Sequence, residues 1–172
     1  MIIQKINGTY IVDQDRILLR MSSTAQEELR LWITRRTCLN LLAEISQNSV
    51  KIVENDHKVA PSTAKIIDQF NQETLSRNVD YRVPFEPKIK LPLGHDPILI
   101  KAIQWRTLPD LPDGSFNIAW DLMNGKVIST PLNALKLNAF RLLIEKLILE
   151  AHWDFAVETS DQAPSQPKTV VH

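Results

Sequence analysis

Four glycines, one cysteine, no net charge and no long apolar run set the first limits on this chain of 172 residues. So few glycines leave little material for phosphate-cradling loops, and no glycine-rich phosphate loop, nucleophile elbow or HExxH pair occurs. The single cysteine, Cys38, excludes an intramolecular disulfide and a cysteine-rich zinc site, as expected of a reducing compartment. Lys plus Arg number 20 and Asp plus Glu 20. Division after Glu86 leaves each half neutral, so no global field draws the chain to nucleic acid or an anionic membrane. The most apolar segment, 135–151, is broken by Lys136, Asn138, Arg141, Glu145, Lys146 and Glu150. That is short of the ~20 near-continuous apolar residues that span a bilayer. No N-terminal stretch has signal-peptide order. The expectation is a cytoplasmic protein with no membrane span, no metal site and no cofactor.

What is present is periodicity. From Asp15, Ile17, Leu19 and Met21 alternate with Arg16, Leu18 and Arg20. After the polar "SSTAQE", Leu29, Leu31 and Ile33 alternate with Glu28, Arg30 and Trp32, which predicts a hairpin of period 2. Thr34 is placed to cap a helix in which Cys38, Leu41, Leu42 and Ile45 recur at helical spacing. The second half repeats the layout. Phe116, Ile118, Trp120 and Leu122 alternate, Asn124-Gly125 predicts a type I′ turn with positive φ at both residues, and Val127 to Thr130 form the return strand. A long helix follows from about Leu132 to Trp153, with Leu135, Ala139, Phe140, Leu143, Leu147 and Ala151 as its apolar stripe and Ile144 and Ile148 widening it.

Between the units, Pro61 opens a less apolar helix over 61–78 carrying Ile66, Ile67 and Phe70. The proline-rich "VPFEPKIKLPLGHDP" reads as a connector or edge strand, "PILIKAIQWRT" as another strand, and "LPDLPDG" as a loop. The prediction is an α+β fold: one antiparallel sheet built from two strand-turn-strand-helix units, about 15–50 and 97–153, with helices on one face. Residues 1–156 form a single domain in this reading, and 157–172, without apolar period, a mobile tail.

If Leu29, Leu31 and Ile33 face the helices, the pleat turns Arg16, Arg20, Arg30 and Trp32 to the opposite face, with Arg35 and Arg36 at the exit of the strand. An exposed aromatic among arginines is a platform on which bases stack while guanidinium groups meet phosphates. The alternative is structural: Trp32 covers a sheet edge, and Arg30 pairs with Glu28 or another acid across the hairpin. Continuous, unpaired arginines would favour nucleic acid, and paired ones would favour assembly. His95, in "GHDP", is a lone loop histidine with no second ligand at metal spacing. In "EAHWD" only Glu150 and Asp154 share a helical face, which reads as a solvated helix end. Cys38 falls on an apolar helix face, where a thiol is an inert small hydrophobe.

The stretches "DRILLRMSSTAQEELRLWITRR" and "WDLMNGKVISTPLNALKLNAFRLLIEKL" resemble a group of small uncharacterised bacterial proteins with an RLWxTRR-type segment near the N-terminus. That resemblance implies no catalytic assignment. In layout alone the two units are similar to single-strand binding modules of the PUR-alpha and Whirly type, an analogy of fold. The leading expectation is a non-enzymatic interaction or assembly protein that forms a homo-oligomer or takes a protein partner. The long C-terminal helix carries more apolar positions than one sheet face covers, and Leu135, Leu142 and Leu149, seven apart, are the expected interface. Single-stranded nucleic-acid binding through the Arg/Trp face is the alternative, and an enzyme with His95 in its site the third reading.

Overall fold

The computed structural model describes residues 2–78, 90–107 and 116–153. Strands β1 (Ile3–Ile11), β2 (Arg16–Ser23) and β3 (Glu28–Thr34) lead into helices α1 (Arg35–His57) and α2 (Pro61–Asn78). Strands β4 (Ile98–Thr107), β5 (Phe116–Leu122) and β6 (Val127–Leu132) lead into α3 (Ala134–Glu150). The six strands form one sheet in sequence order. The fold is α+β, with a mostly antiparallel sheet and three helices.

Two features depart from the expected plan. Each half contributes three strands: β1, which the sequence pattern does not signal, joins the first hairpin, and β4, the strand expected at 97–107, joins the second. The halves meet through a parallel pairing, Leu31 beside Ile98 and Trp32 beside Leu99. A parallel junction needs a long crossover, and α1 and α2 lie in it.

Alternation dictates which face is buried. Ile17, Leu19 and Met21 of β2, Leu29, Leu31 and Ile33 of β3, and Phe116, Ile118, Trp120 and Leu122 of β5 are all buried. They join Cys38, Leu41 and Ile45 of α1 and Leu137, Phe140, Ile144, Leu147 and Ile148 of α3 in one cluster. Trp120 satisfies its indole N–H inside this core by donating to Thr130 Oγ1 at 2.7 Å. Its ring meets Phe140 edge-on at 6.1 Å between centroids. The edge strands β1 and β6 approach within 8 Å between Cα atoms, and α3 packs against both. Lys136 Nζ donates to the Ile3 carbonyl of edge strand β1 at 2.8 Å. Farther along, Leu147 packs onto the bare backbone of Gly8, where a Cβ would collide with its Cδ1.

Caps explain where the helices begin. Thr34 Oγ1 accepts from Thr37 N at 3.3 Å, as the sequence predicts, and Asn133 Oδ1 accepts from Lys136 N at 3.0 Å. The helix expected from Leu132 to Trp153 runs from Ala134 to Glu150, because Leu132 still pairs with Phe116 in the sheet. The β5–β6 hairpin is present, but its turn is not type I′. Of Asn124 and Gly125 only the glycine has positive φ, at +81°, and its N–H closes the turn on Leu122 O at 3.0 Å. That is a type I turn followed by a left-handed glycine, the three-residue solution.

Helix α2 forms a further layer, packed on α1 and α3 on their side away from the sheet. Its apolar residues do not all turn inward. Ala64 and Asp68 are buried, whereas Ile66 and Phe70 are exposed. Among the described residues, no helix is long and apolar enough to cross a membrane. The expected tail at 157–172 lies outside the described residues, as do 83–89 of the proline-rich connector and the loop expected at 108–114.

Candidate functional site

Adjacent strands in register place rows of side chains across the outer face of the sheet. Arg20 stands opposite Arg30, Leu18 opposite Trp32, and Arg16 opposite Thr34, while Trp32 is also paired with Leu99 across the parallel junction. The sequence predicted Arg16, Arg20, Arg30 and Trp32 on one face, and the structure brings them together there, each half-buried. Arg35 and Arg36 sit exposed in the first turn of α1, just beyond the end of β3. Leu18 and Leu99 make Trp32 the centre of an apolar row rather than an isolated ring.

Glu28 organises the arginines. Its carboxylate, with no exposed side-chain surface, accepts at Oε1 from Arg20 Nε at 2.9 Å and from Arg30 Nε at 2.8 Å. Arg30 also donates from Nη1 to the His95 carbonyl at 3.2 Å, and Glu28 N donates to the Lys90 carbonyl at 2.8 Å. The segment 90–97 is thereby tied to this end of the face. Two guanidinium groups directly opposite one another would repel, and the acid between them turns repulsion into a clamp. Arg16 has no acidic partner among the described residues, whereas the positive charge of Arg35 acts on Asp15. The arginines are thus neither continuous nor all unpaired.

His95 contributes its backbone carbonyl. Its side chain is exposed and makes no hydrogen bond among the described residues. Among the described residues no group of three or more His, Cys, Asp or Glu side chains is arranged to hold a metal. Cys38 is fully buried, and burial pushes its thiol up to about 12, far from the thiolate that nucleophilic chemistry needs.

The expected interface residues occupy the outward side of α3. Leu135 and Leu149 are 60% and 75% exposed, and Leu142 between them is half-buried. Leu137, Phe140, Ile144, Leu147 and Ile148 carry the core contact instead, so Leu135 leaves the apolar stripe in which the sequence placed it.

Sequence reasoning missed two polar clusters. At the end of α3, Glu150 and His152 are exposed, as a solvated end requires, but Trp153 beside them is an anchor, and Asp154 lies outside the described residues. Trp153 is buried and donates from Nε1 to Asp15 Oδ1 at 2.7 Å, and Tyr10 donates from its hydroxyl to the same oxygen at 2.8 Å. The two rings meet edge-on at 5.7 Å. These two hydrogen bonds, from Trp153 first and then Tyr10, hold the Asp15 carboxyl below its usual value, with Arg35 adding to the effect. The hydrogen bond to Asp15 raises the Tyr10 phenol in turn. The second cluster, around Asp68 where the three helices meet, had no local signal either, since an aspartate in a weakly amphipathic helix reads as solvated. No family model, no curated protein and no solved structure matches the chain.

Proposed function

We propose that the chain is a non-enzymatic interaction module that assembles with a second copy of itself through the outward side of α3. The observation that carries this reading is the exposed apolar pair Leu135 and Leu149, with half-buried Leu142 midway between them. Large apolar side chains aligned on one helix surface are stabilised by a partner that removes them from water. The spacing is self-complementary. In an antiparallel pairing about Leu142, Leu135 of one copy faces Leu149 of the other, and the twofold axis closes the contact. The pairing of Arg20 and Arg30 with buried Glu28 adds support, because it gives these arginines a role inside the fold. A reducing, cytoplasmic setting fits a chain whose one cysteine is buried and unpaired.

Sedimentation velocity tests the proposal. The wild type is expected to sediment as a dimer at micromolar concentration, and Leu135→Glu with Leu149→Glu as a folded monomer, since both positions are exposed. A monomeric wild type would end the α3 reading.

Half-exposed Trp32, flanked by Leu18, Leu99 and an Arg16 without an acidic partner among the described residues, favours a second reading, single-stranded nucleic-acid binding on the outer face. It predicts oligonucleotide binding that weakens in Trp32→Ala and falls steeply with salt. Absence of binding by the wild type at low salt would dismiss it. The third reading, catalysis at His95, rests only on a histidine in a loop.

A further inference from the structure

Helix α2 packs on the rest of the molecule with its polarity reversed. Ile66 and Phe70 are 65% and 67% exposed, whereas Ala64 and Asp68 are almost completely buried against α1 and α3. Residues four apart share a helical face, so Ala64 and Asp68 define the inward side and Ile66 and Phe70 the outward one. A surface helix ordinarily buries its large apolar residues. Among the described side chains, Ile67 is the large apolar residue of α2 that comes part-way in.

The described contacts of α2 with its neighbours include a polar cluster centred on Asp68. Asp68 Oδ2 accepts from Ser49 Oγ of α1 at 3.1 Å and from Gln72 Nε2 of its own helix at 2.7 Å. It also stands 3.5 Å from Arg141 Nη1 of α3. One carboxyl group thus joins all three helices. Its other oxygen, Oδ1, is buried and receives no hydrogen bond among the described residues. Arg141 does not make up the shortfall, because its Nε donates to Glu145 Oε1 at 2.9 Å and the guanidinium is shared between two carboxyl groups. Buried acceptors without donors are costly. A proton on Asp68 removes the charge from a carboxyl group that has one oxygen buried without a donor among the described residues.

We propose that Asp68 is a proton latch, which holds α2 against α1 and α3 when its carboxyl group is protonated and loosens the helix when that proton is lost. Among the described residues, the groups facing the carboxyl are Arg141 of α3 with Glu145 behind it, the Ser49 hydroxyl of α1 and the Gln72 amide of α2. Burial, the largest influence, raises the Asp68 pKa, and the opposing effects of Ser49, Arg141 and Gln72 do not cancel it. A group whose pKa is raised in the docked state stabilises that state fully below its undocked pKa. The contribution is lost as pH rises through the docked value. Acid therefore tightens α2, and alkalinisation frees it and uncovers the seam between α1 and α3.

Hydrogen exchange of the full chain between about pH 4 and about pH 8 reads the latch directly, since protection reports local opening. In the wild type the protection of α2 amides, corrected for intrinsic rates and taken relative to α3 amides, falls as pH rises. In Asp68→Asn the ratio stays level, because the carboxamide keeps an oxygen for Ser49 and Gln72 and places N–H donors where Oδ1 had none. Carbon NMR of the Asp68 carboxyl group supplies a second readout that needs no variant, and the expected titration lies above the ordinary aspartate value. A level wild-type ratio, an Asn variant that follows the wild type, or a carboxyl group titrating at or below that ordinary value overturns the proposal.

Discussion

Replacing Glu28 with glutamine would test whether the arginine face is an internal clamp. In the register of the β2–β3 pair, Arg20 stands directly opposite Arg30, and both donate to one oxygen of a carboxylate with no exposed surface. Glutamine keeps the shape and an acceptor oxygen but removes the charge. Two hydrogen bonds between opposite charges then become bonds from a cation to a neutral amide oxygen, a loss of roughly 1 kcal/mol each. The guanidinium groups also begin to repel, by about 1–2 kcal/mol at a cross-strand separation of ~5 Å and an effective dielectric constant of ~40. Their side chains are 22% and 26% exposed and can turn toward water. The net cost is thereby reduced to about 2–3 kcal/mol, below the ~3–5 kcal/mol of a fully buried broken pair. For a chain of this size that corresponds to a melting temperature lower by about 5–10 °C. Urea unfolding should show the same loss as a shifted midpoint with unchanged slope. Adding Arg20→Met to Glu28→Gln removes the repulsion and should recover part of the loss, and no recovery would place the cost in the hydrogen bonds alone. A Glu28→Gln protein as stable as the wild type would refute the clamp.

Gly8→Ala should destabilise the fold by about 1–2 kcal/mol through overpacking against Leu147, and Leu147→Val in the same chain should relieve it, both read from urea midpoints. Cys38, buried and with its thiol pushed up to about 12, should resist a thiol reagent in the native protein and react fully in denaturant; rapid native labelling would contradict the packing of α1. The lowered Asp15 pKa contributes stability that is present above the unfolded value and lost as pH falls through the folded one, so the Tyr10–Asp15–Trp153 anchor should weaken only on acidification. Unfolding midpoints across that acidic range should decline more steeply in the wild type than in Asp15→Asn, and identical profiles would dissociate the anchor from Asp15.

Local periodicity alone determined much of this protein. The alternation of Ile17, Leu19 and Met21 with Arg16, Leu18 and Arg20, repeated in 28–33, sets one face toward the helices and the other outward, because a pleated strand leaves no other choice. It put Arg16, Arg20, Arg30 and Trp32 together and kept Glu28 within reach. Thr34 signalled the start of α1, and Pro61 that of α2. Strand β1 was less legible because Gly8 stands where its inward alternation requires an apolar side chain, and Leu147 of α3 fills that place from far along the chain. The parallel junction of Leu31 with Ile98 and Trp32 with Leu99 joins residues 67 apart, and no local pattern encodes such a register. Tertiary structure likewise decided which side of α3 is solvent-facing. Apolar residues wrap most of that helix, so periodicity did not rank Leu135 and Leu149 against Leu137 and Ile148. Packing against β1, β6, α1 and α2 did. For α2 the two levels disagree: Ile66 and Phe70 point outward, while Asp68 turns inward to the Ser49 and Arg141 that the seam between α1 and α3 presents. A buried carboxyl group is matched to those partners only in three dimensions.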